Sequence, residues 1–174
     1  TLEAIQGVPV SGVIQLPASA KPGKNITLLF KGQNGRYPGY TNSTMVNLSG
    51  KTLSSIPYST LLPQGEVFDV KVLDAFAPKS VSLQSEIVSI PDAGYEKQVK
   101  NITVADPVKI TFADPEIEKI VRATVKQPAG DLYDYTVNRV VLLEIDGTKV
   151  KSLEDLPKMK LVDTLRIKKF SNIE

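Results

Sequence analysis

The residues that could do chemistry in this chain are carboxylates and lysines, because it contains no histidine and no cysteine. That composition removes the commonest general base, thiol nucleophiles, disulfides and Cys/His zinc sites. Acid–base or metal chemistry would fall to clustered carboxylates, and three groups come close in sequence: Asp114, Glu116 and Glu118; Asp131 and Asp134; Glu154 and Asp155. The first group opens a predicted helix, where the positive end of the helix dipole is sufficient reason for it. Asp131 and Asp134 do not form a calcium-loop pattern. Glu154 and Asp155 fall in a return turn. No catalytic or metal-ligating residue is therefore assigned, no cofactor is expected, and the protein is read as not an enzyme.

The elements around these residues are more informative. Asp114 is placed to cap a helix, with Pro115 at its first position. Ile117, Ile120, Val121, Thr124 and Val125 then follow at helical spacing and make one apolar stripe. Lys126 suits the negative end, and Pro128 with Gly130 stops the helix. Its β-branched residues are poor helix formers, so burial must hold it. Further on, Leu143-Glu144-Ile145 aligns with Leu165-Arg166-Ile167 at a shift of 22 residues. Val150, Leu153, Leu156 and Met159 lie between, spaced to point inward. A short Leu-x-Ile strand followed by a return segment is the pattern of a leucine-rich repeat. Such repeats stack, and the first one needs a lid, which is the expected role of the helix.

The first hundred residues read differently. Short β-rich segments alternate with turns, as in a sandwich. In 25–31, Ile26, Leu28 and Phe30 share a face; in 41–50, Met45 and Leu48 are placed toward the core. The stretch 56–72 reads as a strand, a Leu62-Pro63-Gln64-Gly65 turn and a second strand with Phe68, Val70 and Val72 on one face, hence a hairpin. The segments 80–90 and 98–104 supply two more candidate strands. The loop 32–40 is Gly-rich but lacks phosphate-loop spacing. The expected fold is thus mainly β with one cap helix: an antiparallel β-sandwich over 1–105, then a short leucine-rich repeat segment with a helical N-cap over 106–174.

Bulk properties limit the function classes. The protein has 174 residues, 41% hydrophobic and 23% charged, with a net charge of +2. Residues 1–105 hold nine basic and seven acidic residues and the remainder twelve of each, so neither half has the positive field that nucleic-acid binding usually needs. No apolar run reaches the length of a membrane span.

Two resemblances add to this. The stretch "VSGVIQLP" and the "Y…LPQGEVFDVKV" segment resemble transthyretin-like or immunoglobulin-like sandwich modules of bacterial surface proteins. Phe112, Asp114, the helix with Ile117, Glu118, Val121 and Arg122, the Pro128-x-Gly130-Asp131-Leu132 run and the 22-residue repeat are together similar to the N-terminal cap and first repeats of internalin-type bacterial leucine-rich repeat proteins. That resemblance implies a secreted or cell-surface protein, its signal peptide removed, that binds a protein or glycan. It implies partner contact at the strand positions alternating with the buried Leu and Ile: Glu144, Asp146, Arg166 and Lys168. Tyr37, Tyr133 and Tyr135 are candidate contact aromatics. Family repeats carry Asn where Gly147 and Lys169 stand here. With about one and a half repeats, the open repeat end is expected either to continue in a longer protein or to be covered by another polypeptide, self-association included. A spacer without its own ligand and a carbohydrate-binding accessory module are the alternatives.

Overall fold

The computed structural model describes residues 7–84, 88–92 and 95–169. The protein divides into two compact units, Thr1–Asp106 and Pro107–Glu174. It is mainly β, with antiparallel sheets and one substantial helix.

The first unit contains, among the described residues, β1 (Gly7–Gln15), β2 (Asn25–Gly32), β3 (Thr41–Asn47), β4 (Ile56–Pro63), β5 (Glu66–Leu73), β6 (Val81–Leu83), β7 (Val88–Ile90), β8 (Gln98–Val99) and β9 (Ile102–Thr103). They form two sheets. In one, β1 is central, antiparallel to β4 and parallel to both β8 and β9. In the other, the order is β3-β2-β5-β6, with β7 also on β5, all antiparallel. Period-two alternation buries one face of each strand. Val8, Val10 and Ile14 of β1, Ile26, Leu28 and Phe30 of β2, and Phe68, Val70 and Val72 of β5 are buried. The Phe30 ring lies 6.4 Å from that of Tyr58 on β4, so side chains of the two sheets meet in one interior. Burial pushes the Tyr58 hydroxyl up to about 12, and it donates to the Lys100 carbonyl at 2.6 Å. Gly12 leaves the room for that carbonyl: a Cβ there would lie 1.9 Å from Lys100 O.

The structure corrects two expectations in this unit. Met45 does not face the core but is 71% exposed, while Val46 and Leu48 are buried. Residues three apart on a strand cannot share a face. The inward row of β3 is instead Asn42, Thr44 and Val46, and the Thr44 hydroxyl meets that of Thr60 at 2.9 Å. The 56–72 stretch is not a hairpin: β4 pairs with β1 and β5 with β2, so the turn with Gly65 at positive φ carries the backbone from one sheet to the other. The candidate strand 80–90 appears as β6 and β7, and its residues 85–87 lie outside the described residues.

The second unit contains β10 (Lys109–Ile110), α1 (Pro115–Val125), β11 (Leu132–Tyr133), the single-turn helix α2 (Asp134–Val137), β12 (Leu142–Asp146) and β13 (Thr164–Lys168). A 3-10 turn covers Leu156–Lys158. The short pair β10–β11 is antiparallel. α1 buries Ile117, Val121 and Val125 against Leu132, Val137, Val140, Leu143, Ile145, Val150 and Met159, with Leu153 and Leu156 half-buried at the margin. Each fully buried aliphatic side chain contributes about 2 kcal/mol relative to exposure, which offsets the low helix propensity of β-branched residues. Thr124 departs from the expected stripe: it is exposed and its hydroxyl donates back to the Ile120 carbonyl at 2.9 Å. The helix ends before Pro128, at Lys126 in the left-handed conformation (φ 58°).

Candidate partner-binding face

β12 and β13 run parallel, in the register Leu142–Thr164, Leu143–Leu165, Glu144–Arg166, Ile145–Ile167 and Asp146–Lys168. Alternation sends Leu143 and Ile145 into the core and Glu144 outward. On β13 the parallel register places Leu165 and Ile167 beside them, with Arg166 and Lys168 on the outward row. Leu165 is nevertheless 40% exposed, since among the described residues β13 pairs only with β12.

The four partner-binding candidates therefore form one two-by-two block of charge. Glu144 sits between two cations: Lys168 Nζ donates to its Oε1, and Arg166 lies 3.9 Å from its Oε2. The hydrogen bond from Lys168, opposed by partial burial and helped by the charges of Lys168 and Arg166, holds the Glu144 carboxyl below the usual carboxylate range. Asp146 is engaged by its own turn. Its Oδ1 accepts from the Thr148 hydroxyl at 2.6 Å and the Thr148 N–H at 3.1 Å, and Lys169 Nζ lies 3.4 Å from Oδ2. Those Thr148 bonds, chiefly, bring its pKa down to about 2. Arg166 and Lys168 on β13, with Lys169 just past its end, thus face the two carboxylates of β12. The block offers directional ionic contacts; it presents no aligned nucleophile and base.

Two further acids of this unit read, in the sequence, only as a helix cap and a turn residue. Asp114 caps α1 as expected, with Oδ1 accepting from Glu116 N–H at 2.8 Å and Ile117 N–H at 3.2 Å. Its Oδ2 also accepts from Lys151 at 2.7 Å and Ser152 at 3.2 Å in the return segment after β12. Asp155, fully buried, accepts from Ala113 and Asp114 N–H and from Lys158 Nζ. These contacts lock the helix start to the return segment that follows β12.

Tyr133 and Tyr135 stack on each other, with ring centroids 5.5 Å apart and planes 4° from parallel. In the first unit, the N–H of Tyr37 is bound by Glu66 at 2.7 Å. Glu66 itself was missed. It is fully buried and accepts as well from Gly35 at 2.8 Å, Val67 at 2.9 Å and Gln33 at 3.3 Å. Burial pushes its pKa up, but the four N–H groups outweigh that and hold it below the ordinary value. A signal was present: Glu66 shares parity with Phe68, Val70 and Val72, hence the inward face.

A hollow of about 540 Å³ runs along the outward face of α1, lined by Pro115, Glu118, Lys119, Arg122, Ala123 and Lys126 among others. Two of its cations pair within the helix, Arg122 with Glu118 at 2.8 Å and Lys119 with Glu116 at 3.5 Å, and no β12 or β13 residue is among those lining it. Among the described residues no group of three or more acidic residues is placed to hold a metal ion, and no helix is long and apolar enough to cross a membrane.

Compared with protein-family models, curated proteins and solved structures, the sequence and fold match none.

Proposed function

We propose that this protein is a non-enzymatic, secreted or cell-surface binding protein. In this reading the first unit is a β-sandwich of transthyretin-like or immunoglobulin-like type. The second is the cap and opening repeats of an internalin-type leucine-rich repeat segment, which takes a protein or glycan partner on the Glu144, Asp146, Arg166 and Lys168 row. The observation that carries it is the parallel pairing of two Leu-x-Ile strands one 22-residue period apart, Leu143 beside Leu165. The burial of α1 against the first of these strands supports the role of lid. A parallel pair needs a long crossover connection, and here the crossover is the return segment that Asp114 and Asp155 tie down. An exposed row of mixed charge on a rigid pair of strands favours specificity and fast encounter over raw affinity.

The test uses the full-length protein against a glycan array and an array of cell-surface ectodomains, with every hit re-measured on two variants. Glu144→Arg combined with Arg166→Glu and Lys168→Glu keeps opposite charges facing each other across the two strands and inverts the pattern; binding should fall about tenfold or more, with melting little changed because the pairs are exposed. Leu61→Ser with Val99→Ser alters exposed apolar residues of the first unit and should leave binding intact. Loss of binding in the second variant with retention in the first would instead make the first unit a carbohydrate- or protein-binding module. The absence of any hit would support a spacer.

A further inference from the structure

Asn34 is the one asparagine in the sequence that is followed by glycine. This dipeptide is the sequence most prone to spontaneous deamidation, because a glycine nitrogen meets no side-chain obstacle on its way to the asparagine amide. The backbone nitrogen of Gly35, once deprotonated, attacks Cγ of Asn34. The new N–C bond closes a succinimide, the bond from Cγ to the amide nitrogen Nδ2 breaks and ammonia leaves. Water then opens the ring at either carbonyl, giving aspartate or a β-linked isoaspartate.

The packing of the loop requires glycine beside this exposed asparagine. A Cβ on Gly35 would lie 2.3 Å from Gly65 O and 2.6 Å from Glu66 Cα, both backbone atoms. Close approach to the β4–β5 turn therefore imposes the reactive pair. The same approach brings the Gly35 N–H within 2.8 Å of the buried Glu66 carboxylate. Removing that proton would set a second negative charge against a carboxylate that is already desolvated. Glu66 also fixes the residues on either side through Gln33 and Tyr37, and the Arg36 N–H donates to Gly65 O at 3.0 Å. The rotation that would carry the Gly35 nitrogen to Asn34 Cγ has to break this set of bonds together.

We propose that Asn34 is a latent isoaspartate site, and that Glu66 holds it closed by occupying the Gly35 N–H and pinning the loop around it. Opening of this loop, not the intrinsic chemistry, sets the rate.

The experiment ages the full-length protein in mildly alkaline buffer and follows the Asn34 peptide by mass spectrometry with isoaspartate detection, beside a synthetic peptide of residues 32–40. The folded protein should convert at Asn34 about tenfold more slowly than the peptide or slower still, the size of one charge-assisted hydrogen bond. Glu66→Ala, which removes both acceptor oxygens, should bring the folded protein toward the peptide rate, with Asn42, which precedes serine, unchanged. Equal rates in wild type and peptide, or an intact Asn34 in a folded Glu66→Ala variant, would overturn the proposal. If that variant fails to fold, amide hydrogen exchange at Gly35 in the wild type decides. Strong protection supports the closed site, and exchange at the unprotected rate overturns it.

Discussion

The Asp155 carboxylate accepts the backbone N–H of Asp114 at 2.8 Å, and the Asp114 carboxylate accepts the N–H groups of Lys151 and Ser152 just upstream of Asp155. Each acid closes the loop that the other one begins. The result is a two-way clamp between the start of α1 and the return segment that leads from β12 to β13. Without it, the buried Asp114 N–H and three part-buried N–H groups would lose their acceptors.

Replacing Asp155 with alanine should therefore cost about 3 kcal/mol, since two backbone donors and the Lys158 ammonium lose a buried acceptor. The two units need not unfold together, so amide exchange resolved by residue is the appropriate readout. Protection should fall across α1 and β12 while β2 and β5 keep theirs.

The same clamp makes the second unit sensitive to acid. Burial pushes Asp114 and Asp155 up, but their backbone donors, with Lys158 for Asp155, outweigh it and leave both below the ordinary value of 3.8. A carboxylate depressed in the folded state binds its proton more weakly there than in the unfolded state. Its stabilisation is complete above 3.8 and is lost as pH falls through the lower folded values. Stability of the second unit should drop by up to about 1.4 kcal/mol per pH unit for each group in that window. Asp114→Asn should flatten the slope, measured by urea unfolding at a series of pH values.

Leu143 and Leu165 hold equivalent places on paired strands but should respond differently to truncation. Leu143 is fully buried and Leu165 is 40% exposed. Leu143→Ala should cost about 3 kcal/mol, and Leu165→Ala less than about 1 kcal/mol. Comparable losses in denaturant titrations would mean that β13 is covered in solution by something the described residues do not include.

A separate test concerns Gly12. A methyl group there would run into the Lys100 carbonyl, which is backbone and cannot swing aside. Gly12→Ala should destabilise the first unit by about 2 kcal/mol or more, through forced movement of β1 away from β8 and β9. The Tyr58 hydroxyl, which burial pushes up to about 12 and which bonds the same carbonyl, should then be more open to water and titrate lower than in the parent protein, as read by ultraviolet absorbance of the ionised phenol.

How much of this was legible in advance depended on distance in sequence. The cap Asp114, Pro115 and the Ile117, Val121, Val125 stripe lie within one turn or a few, so local chemistry identified α1. The β12 and β13 strands were legible because Leu-x-Ile recurs at one spacing. Sheet membership was not: nothing in 56–72 distinguishes a hairpin from a crossing between sheets, because that choice is made by β1 and β2, well upstream. The parallel seating of β8 and β9 on β1 is equally non-local. Asp155 carried no sequence signal, as its partners at Ala113 and Asp114 are about forty residues away and acids are normally solvated. Glu66 did carry one, its parity with Phe68.

The pairing of β12 with β13 carries the functional reading, and solution NMR tests it most directly. With methyl labelling of Leu and Ile, the account predicts nuclear Overhauser contacts from Leu143 to Leu165 and from Ile145 to Ile167, with backbone contacts in parallel register. An antiparallel pattern, or the absence of any contact between these two strands in the folded protein, would contradict it.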